Sequence, residues 1–271
     1  MLIKTNEYTQ NENDIYFIQP ISNKIIINDN YDGILILDNS LNLIKGLKIF
    51  KDITIYSSFP NNLNEEIILF CPDNECMVHI NLTNYDYTVI FLKDGLEELV
   101  FSNVYEWNMR GLVLSTYMGE FYSVSIHEKT IQRIDYKEVE RGFAPLYVLH
   151  QESKKHKIFR VYPDEYLAII CEKGRNIKVV NYKDQTSHYL IDAIIDFIDI
   201  DFRKGIFTIV NEFELEINII HDKTLIYPEE NFMFLQGKLL NKLNNIYLIV
   251  LSSSKLNNCY SKIDMFQLCS L

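Results

Sequence analysis

The stretch IFTIVNEFELEINIIHDKTLIYP (206–228) decides the fold. It opens with an apolar run, Ile206 to Val210, and passes into strict alternation. There Glu212, Glu214 and Glu216 take one set of alternate positions, and Phe213, Leu215, Ile217 and Ile219 take the other. A period of two sends successive side chains to opposite faces of an extended strand, so the pattern belongs to sheet and not to helix. The tetrad His221-Asp222-Lys223-Thr224 then supplies a polar turn into a further strand. A similar tetrad, His127-Glu128-Lys129-Thr130, stands 94 residues earlier, close to two units of about 45 residues. The chain therefore reads as a repeat of β-hairpins.

Working outward, the same triplet of strands recurs along the sequence. It is found as KIIIN (24–28), GILILD (33–38) and LNLIKGLKI (41–49), then as EIILFC (66–71), CMVHINL (76–82) and TVIFL (88–92). Further instances are GLVLSTY (111–117), FYSVSIH (121–127) and TIQRID (130–135), and YLAIIC (166–171), NIKVVNY (176–182) and SHYLI (187–191). The last is IYLIVL (246–251), CYSKID (259–264) and FQLC (266–269). Strand-like runs at 15–20, 52–58, 97–107, 145–150, 194–202 and 232–240 each begin a unit. The basic stretch QESKKHKIFRVYPDE (151–165), with Lys154, Lys155, Lys157 and Arg160, reads as an insertion in the fourth unit.

Six units of about four antiparallel strands each make an all-β chain that resembles the β-propeller superfamily over residues 15 to 271. The resemblance lies in the strand pattern. No Trp-Asp dipeptide of the WD40 repeat is present, since Trp107 is followed by Asn108, and no kelch-type Gly-Gly occurs. It implies one domain with blades near 15–49, 52–93, 97–136, 142–191, 192–230 and 231–271. It also implies that the chain ends meet, with Met1 to Thr5 lying beside Phe266 to Leu271 in the last blade. Five or seven blades, a double sandwich and a β-solenoid remain open alternatives.

Composition agrees with sheet. Hydrophobic residues are 48% of the 271, with 18 Tyr and 16 Phe, while nine Gly and six Pro exclude collagen-like and linker-rich chains. The opening MLIKTNEYTQNENDIYF lacks a basic n-region and an apolar h-region, and no apolar run reaches the roughly 18 residues of a spanning helix. Five scattered cysteines (Cys71, Cys76, Cys171, Cys259 and Cys269) fit reduced thiols, so a cytoplasmic location is expected.

Two groups of residues have types suited to chemistry. Cys71 and Cys76 flank a turn with His79 nearby, but zinc sites of this kind take a second cysteine pair, so two reduced thiols are expected. Asp196, Asp199 and Asp201 lie in IIDFIDIDF, where alternation puts Asp199 and Asp201 on one face at a spacing that could hold a cation. A metal or acid site of this kind in the central channel would make the protein a propeller hydrolase or lyase. The six histidines do not cluster, and no G-x-S-x-G, P-loop, G-x-G-x-x-G or H-E-x-x-H is present. The expectation is therefore a non-enzymatic protein without a cofactor.

Charge is segregated. Residues 61–100 carry eight acids (among them Glu65, Glu66 and Glu75) against Lys93, and residues 192–230 carry ten against three bases. Each segment nets −7, whereas residues 137–178 net +3, in a chain of net charge −11. This balance argues against nucleic acid as a partner and for a basic protein bound to an acidic face. The expected binding residues are Glu212, Glu214, Glu216, Asp199, Asp201, Glu65, Glu66 and Glu75. An immunity protein masking a basic toxin such as a nuclease, as a monomer in a 1:1 complex away from membranes, is the concrete expectation. A scaffold subunit of a larger assembly is the third class.

Overall fold

The computed structural model describes residues 2–11, 13–92, 101–108, 111–116, 120–135, 157–162, 167–172, 176–192, 197–201, 205–219, 222–242, 245–256 and 260–268. Among them are 24 strands and no α-helix. The strands form six four-stranded antiparallel sheets. β1 (Leu2–Asn11) stands apart at the amino terminus. Sheet I follows with β2 (Ile18–Ile21), β3 (Lys24–Asp29), β4 (Gly33–Asp38) and β5 (Leu43–Lys48). Sheet II holds β6 (Ser57–Asn61), β7 (Glu66–Cys71), β8 (Cys76–Asn81) and β9 (Tyr87–Phe91). Sheet III holds β10 (Phe101–Asn108), β11 (Gly111–Thr116), β12 (Phe121–Ser125) and β13 (Thr130–Arg133). Sheet IV holds β14 (Lys157–Tyr162), β15 (Leu167–Glu172), β16 (Asn176–Asn181) and β17 (Thr186–Asp192). Sheet V holds β18 (Phe197–Asp201), β19 (Ile206–Val210), β20 (Leu215–Ile219) and β21 (Asp222–Ile226). Sheet VI has β22 (Phe232–Lys242), β23 (Asn245–Ser254) and β24 (Tyr260–Leu268), with β1 as its fourth strand beside β24.

The chain divides into two compact units. One comprises Met1–Ile53 and Ile195–Leu271, and the other Thr54–Ile194. In the first unit, the two faces of sheet VI meet different neighbours. Ile249, Leu251, Ile263 and Met265 pack with Ile25, Ile27, Leu35 and Leu37 of sheet I. Ile246, Leu248, Val250 and Leu268 pack with Ile206, Val210, Leu215 and Ile217 of sheet V. A strand covered on both faces needs no polar side, so β23 reads as the unbroken run IYLIVL instead of alternating. Gly237 of β22 belongs to this fit: a methyl group there would meet Val210 Cγ2 at 2.8 Å and Leu215 Cδ1 at 2.9 Å. In the second unit, Phe59, Ile68, Phe70, Met77 and Ile90 of sheet II share a core with Leu112, Leu114, Tyr122, Val124 and Ile131 of sheet III.

The segment joining β1 to β2 is held by buried polar groups. Asn28 Oδ1 accepts the backbone N–H groups of Tyr16 (2.9 Å) and Phe17 (3.0 Å), and its Nδ2 donates to the carbonyls of Asp14 and Asn30. Ser261 Oγ of β24 accepts the N–H of Ile15. These side chains satisfy backbone groups that have no ladder partner, which makes burial of this irregular segment tolerable.

Three readings of the sequence are corrected. Glu212, Glu214 and Glu216 do not share a strand face. Asn211 Oδ1 accepts the N–H groups of Phe213 and Glu214, both at 2.9 Å, and Asn211 N donates to Glu214 O, so a turn forms there and β20 begins at Leu215. A local side-chain bond of this kind competes with the sheet ladder. CYSKID and FQLC are not separate strands but one, β24, running through buried Met265 with no turn residue to break it. The blade's fourth strand is thus β1, which pairs from Leu2 opposite Leu268 to Asn11 opposite Tyr260. Finally, the basic stretch is not wholly an insertion: Lys157–Tyr162 is β14, with Ile158 opposite Ile170 and Val161 opposite Ala168. Lys154 and Lys155, like the run 145–150, lie outside the described residues.

Removing residues 1–11 leaves the outer edge of β24 unpaired and takes Leu2 and Tyr8 from two cores. The melting temperature is expected to fall by about 10 °C or more, as a loss of several kcal/mol requires in a protein of this size. An unchanged melting curve would show that sheet VI is complete without β1.

Candidate functional site

Each of sheets I to V has two ends. The turns between first and second and between third and fourth strands lie at one end. The turn between second and third strands lies at the other, where the chain also leaves for the next sheet. The first kind of end is built by a recurring device. Asn61 Oδ1 accepts the N–H groups of Leu63 and Asn64, Asn81 those of Thr83 and Asn84, and Asn181 those of Lys183 and Asp184. Four residues beyond each asparagine, Glu65, Tyr85 and Gln185 take positive φ (52°, 64° and 58°) and close the turn. Ser125 with Lys129 (φ 54°) repeats the geometry, its Oγ accepting from Glu128 N. The His-Glu-Lys-Thr tetrad is one copy of this turn, whereas Asp222, Lys223 and Thr224, read as a matching turn, are paired residues of β21. The asparagine at the strand end is the stronger signal, and the sequence reading missed it.

The expected binding residues divide by environment. Asp199 is 5% exposed, and its Oδ2 accepts the backbone N–H of Leu239 at 2.9 Å. Two residues on, Asp201 Oδ2 accepts Asn241 Nδ2 at 2.6 Å. They do share one strand face, yet both carboxylates are spent fastening β18 to β22. Glu216 is 9% exposed, accepts Asn218 Nδ2 at 2.8 Å and is ion-paired with Lys223. Glu65 in the β6–β7 turn and Glu66 at the start of β7 lie at one end of that strand, whereas exposed Glu75 (φ 51°) lies in the β7–β8 turn at the opposite end. Six residues of β7 put about 17 Å between them, so the three do not form one patch. Asp196 lies outside the described residues.

Cys71 and Cys76 are directly opposed across β7 and β8, both fully buried, and with Cys171 they are free thiols. His79 is an odd number of residues from Cys76 and so points to the other face, where Glu66 lies 3.7 Å away. Zinc ligation by all three is ruled out by that alternation. Among the described residues no group of three or more His, Cys, Asp or Glu is placed to hold a metal. Cys259 and Cys269 lie outside those residues.

Large apolar side chains gather at the linker end of sheets V and VI. Phe213 is 64% exposed in the β19–β20 turn, Leu256 78% in the β23–β24 connection, and Tyr227 64% just past β21. The segments that carry them are knitted together. Phe234 N donates to Glu212 O (3.3 Å), Lys255 N donates to Asn231 O (2.7 Å), and Lys255 Nζ lies 6.0 Å from the Phe213 ring. Leu215 pairs with Ile226, so Glu214 and Tyr227 leave the same end of sheet V. Exposed Glu212, Glu229 and Glu230 and half-buried Glu214 surround the apolar groups, with Lys255 among the nearby bases. Glu229 also reaches Lys262 Nζ at 2.5 Å, which ties the rim to β24.

No family model and no characterised relative matches the sequence. A structural match is found to the β-propeller domain of Cps50 (Swd1) from Myceliophteria thermophila, with TM-score 0.52 and 9% sequence identity over 97% of this chain and 98% of that one. The fold is a β-propeller. Its blades are sheets I to VI, and the absence of a matching family model is consistent with the absence of a WD40 fingerprint. Among the described residues no helix is long and apolar enough to cross a membrane.

Two measurements test these assignments. Asp199→Ala strands the half-buried N–H of Leu239 and is expected to cost about 1–2 kcal/mol in urea unfolding, whereas Asp199→Asn keeps an acceptor and most of that stability. Metal-dependent stabilisation lost in both variants would reverse the assignment. At His79, burial is the larger influence and holds the pKa below the usual histidine value, against the opposing pull of Glu66. The unfolded chain therefore binds this proton more readily than the folded one. Stability from His79 is present above about pH 6.5 and is lost as pH falls below it, so His79→Gln should flatten the acid side of the stability profile.

Proposed function

We propose that this propeller is a non-enzymatic interaction module, and that it binds a protein partner through the linker end of blades V and VI. The observation that carries the reading is the exposure of Phe213, Tyr227 and Leu256 on adjoining segments rimmed by Glu212, Glu214, Glu229 and Glu230. Aromatic and aliphatic anchors inside a polar rim are the composition of interface hot spots, and exposed apolar clusters mark interaction sites. The acidic rim selects a partner that presents basic side chains around apolar ones, in keeping with a net charge of −11. A basic toxin masked one-to-one, a nuclease for example, fits that chemistry; this narrower reading rests on charge alone.

The test uses affinity capture from the native host followed by titration of the captured partner. Phe213→Ala with Tyr227→Ala is expected to weaken binding by about 100-fold or more, chiefly through faster dissociation. Glu212→Lys with Glu214→Lys and Glu230→Lys should slow association and remove its salt dependence, because rim charges act on encounter. The matched reversal of Glu65 and Glu66, at the other kind of blade end, should have no effect. Binding that survives both sets of changes would sink the assignment of the surface.

A further inference from the structure

We propose that Cys71 and Cys76 form a redox-active dithiol that peroxide converts to an intramolecular disulfide, stapling the β7–β8 turn. The register sets the two residues directly opposite one another on neighbouring antiparallel strands. Residues so paired have Cα atoms about 4.5–5.5 Å apart, within the roughly 4.4–6.8 Å that a disulfide spans.

The turn between them is already rigid. Pro72 opens the short helical turn Pro72–Asn74, and Glu75 N donates to Pro72 O at 2.8 Å. Asn74 Oδ1 accepts Thr54 N at 2.9 Å, and Leu92 N donates to Glu75 O at 2.8 Å. Glu75, next to Cys76, and Asp73, two residues from Cys71, are exposed. The thiols also share a hydrogen bond. It pushes Cys71 up, with burial adding to the effect, and draws Cys76 down against its own burial. In this proposal Cys76 attacks and Cys71 resolves. Cys171 is the internal contrast: it is buried too, but faces Ile177 and Lys157 on its neighbouring strands.

The chemistry balances with hydrogen peroxide as oxidant. The Cys76 thiolate attacks one peroxide oxygen, the O–O bond breaks, and hydroxide leaves as water after taking a proton. The sulfenic acid so formed is attacked by the Cys71 sulfur, which gives up its proton as the S–O bond breaks and a second water departs. Two thiols and one peroxide become one disulfide and two waters. The sulfur pair loses two electrons and the peroxide gains them.

The experiment exposes the folded full-length chain to graded hydrogen peroxide, alkylates under denaturing conditions and maps peptides by mass spectrometry. The expected result is a peptide linking Cys71 to Cys76, unalkylated and two hydrogens lighter, restored by dithiothreitol, with Cys171 still alkylated. In Cys71→Ser, which lacks the resolving thiol, dimedone should label Cys76, whereas Cys76→Ser should leave Cys71 unlabelled. The wild-type map decides the matter even if either variant fails to fold. Full alkylation of both cysteines after peroxide, linkage to another cysteine, or equal oxidation of Cys171 would each overturn the proposal.

Discussion

The pairing of β1 with β24 is the constraint on which the first unit depends. A strand from one end of the chain completes a sheet whose other three strands come from the opposite end. Without it, β24 would present a row of unpaired backbone groups. The pairing also positions the segment that follows, and Asn28 and Ser261 hold that segment by its backbone N–H groups. Sheet VI is then covered on both faces, by sheet I through Ile249 and Leu251 and by sheet V through Leu248 and Val250. Non-local pairing of this kind costs loop-closure entropy before burial repays it, so the first unit cannot be complete until the last strand is made.

Acidic residues in this protein do two different jobs. Asp199, Asp201 and Glu216 are committed within the fold, each to a named donor or base. On β1 and β24, Lys4 is held above its ordinary pKa because hydrogen bonds to Asp264 and Glu7 outweigh the effect of its burial. Glu212, Glu214 and Glu230 are left to face outward beside Phe213, Tyr227 and Leu256. Net charge counts both groups alike, so a segment at −7 need not present a surface at −7. What distinguishes the groups is whether a donor lies within hydrogen-bonding reach, and that depends on which strands are neighbours.

The proposed interaction surface and the proposed dithiol share one structural origin. Both lie where the second strand of a blade turns into the third, at the end opposite to the turns stapled by Asn61, Asn81 and Asn181. It carries Phe213 in blade V, Leu256 in blade VI, and the opposed Cys71 and Cys76 in blade II. A rigid sheet beneath a short turn can present a large apolar side chain, or hold two sulfurs together, without spending core residues.

The sequence by itself determined the strands and their repetition. Runs such as GILILD and EIILFC became β4 and β7 at the bounds read from them, because period-two patterning and β-branched residues act locally and need no partner to be legible. It also supplied the propeller resemblance, since units of about four strands recur. The sequence misled where a local side-chain bond decides between strand and turn, as at Asn211, and where charge concealed a strand, as at β14. Only the tertiary structure decided that β24 runs unbroken through Met265 and takes β1 as its neighbour. That choice rests on contacts between residues some 260 positions apart, which leave no periodic trace in either segment. It likewise decided which carboxylates are inside and which are free to meet a partner. Alternation says only that a residue faces one way or the other, whereas the neighbouring blade determines what it meets there.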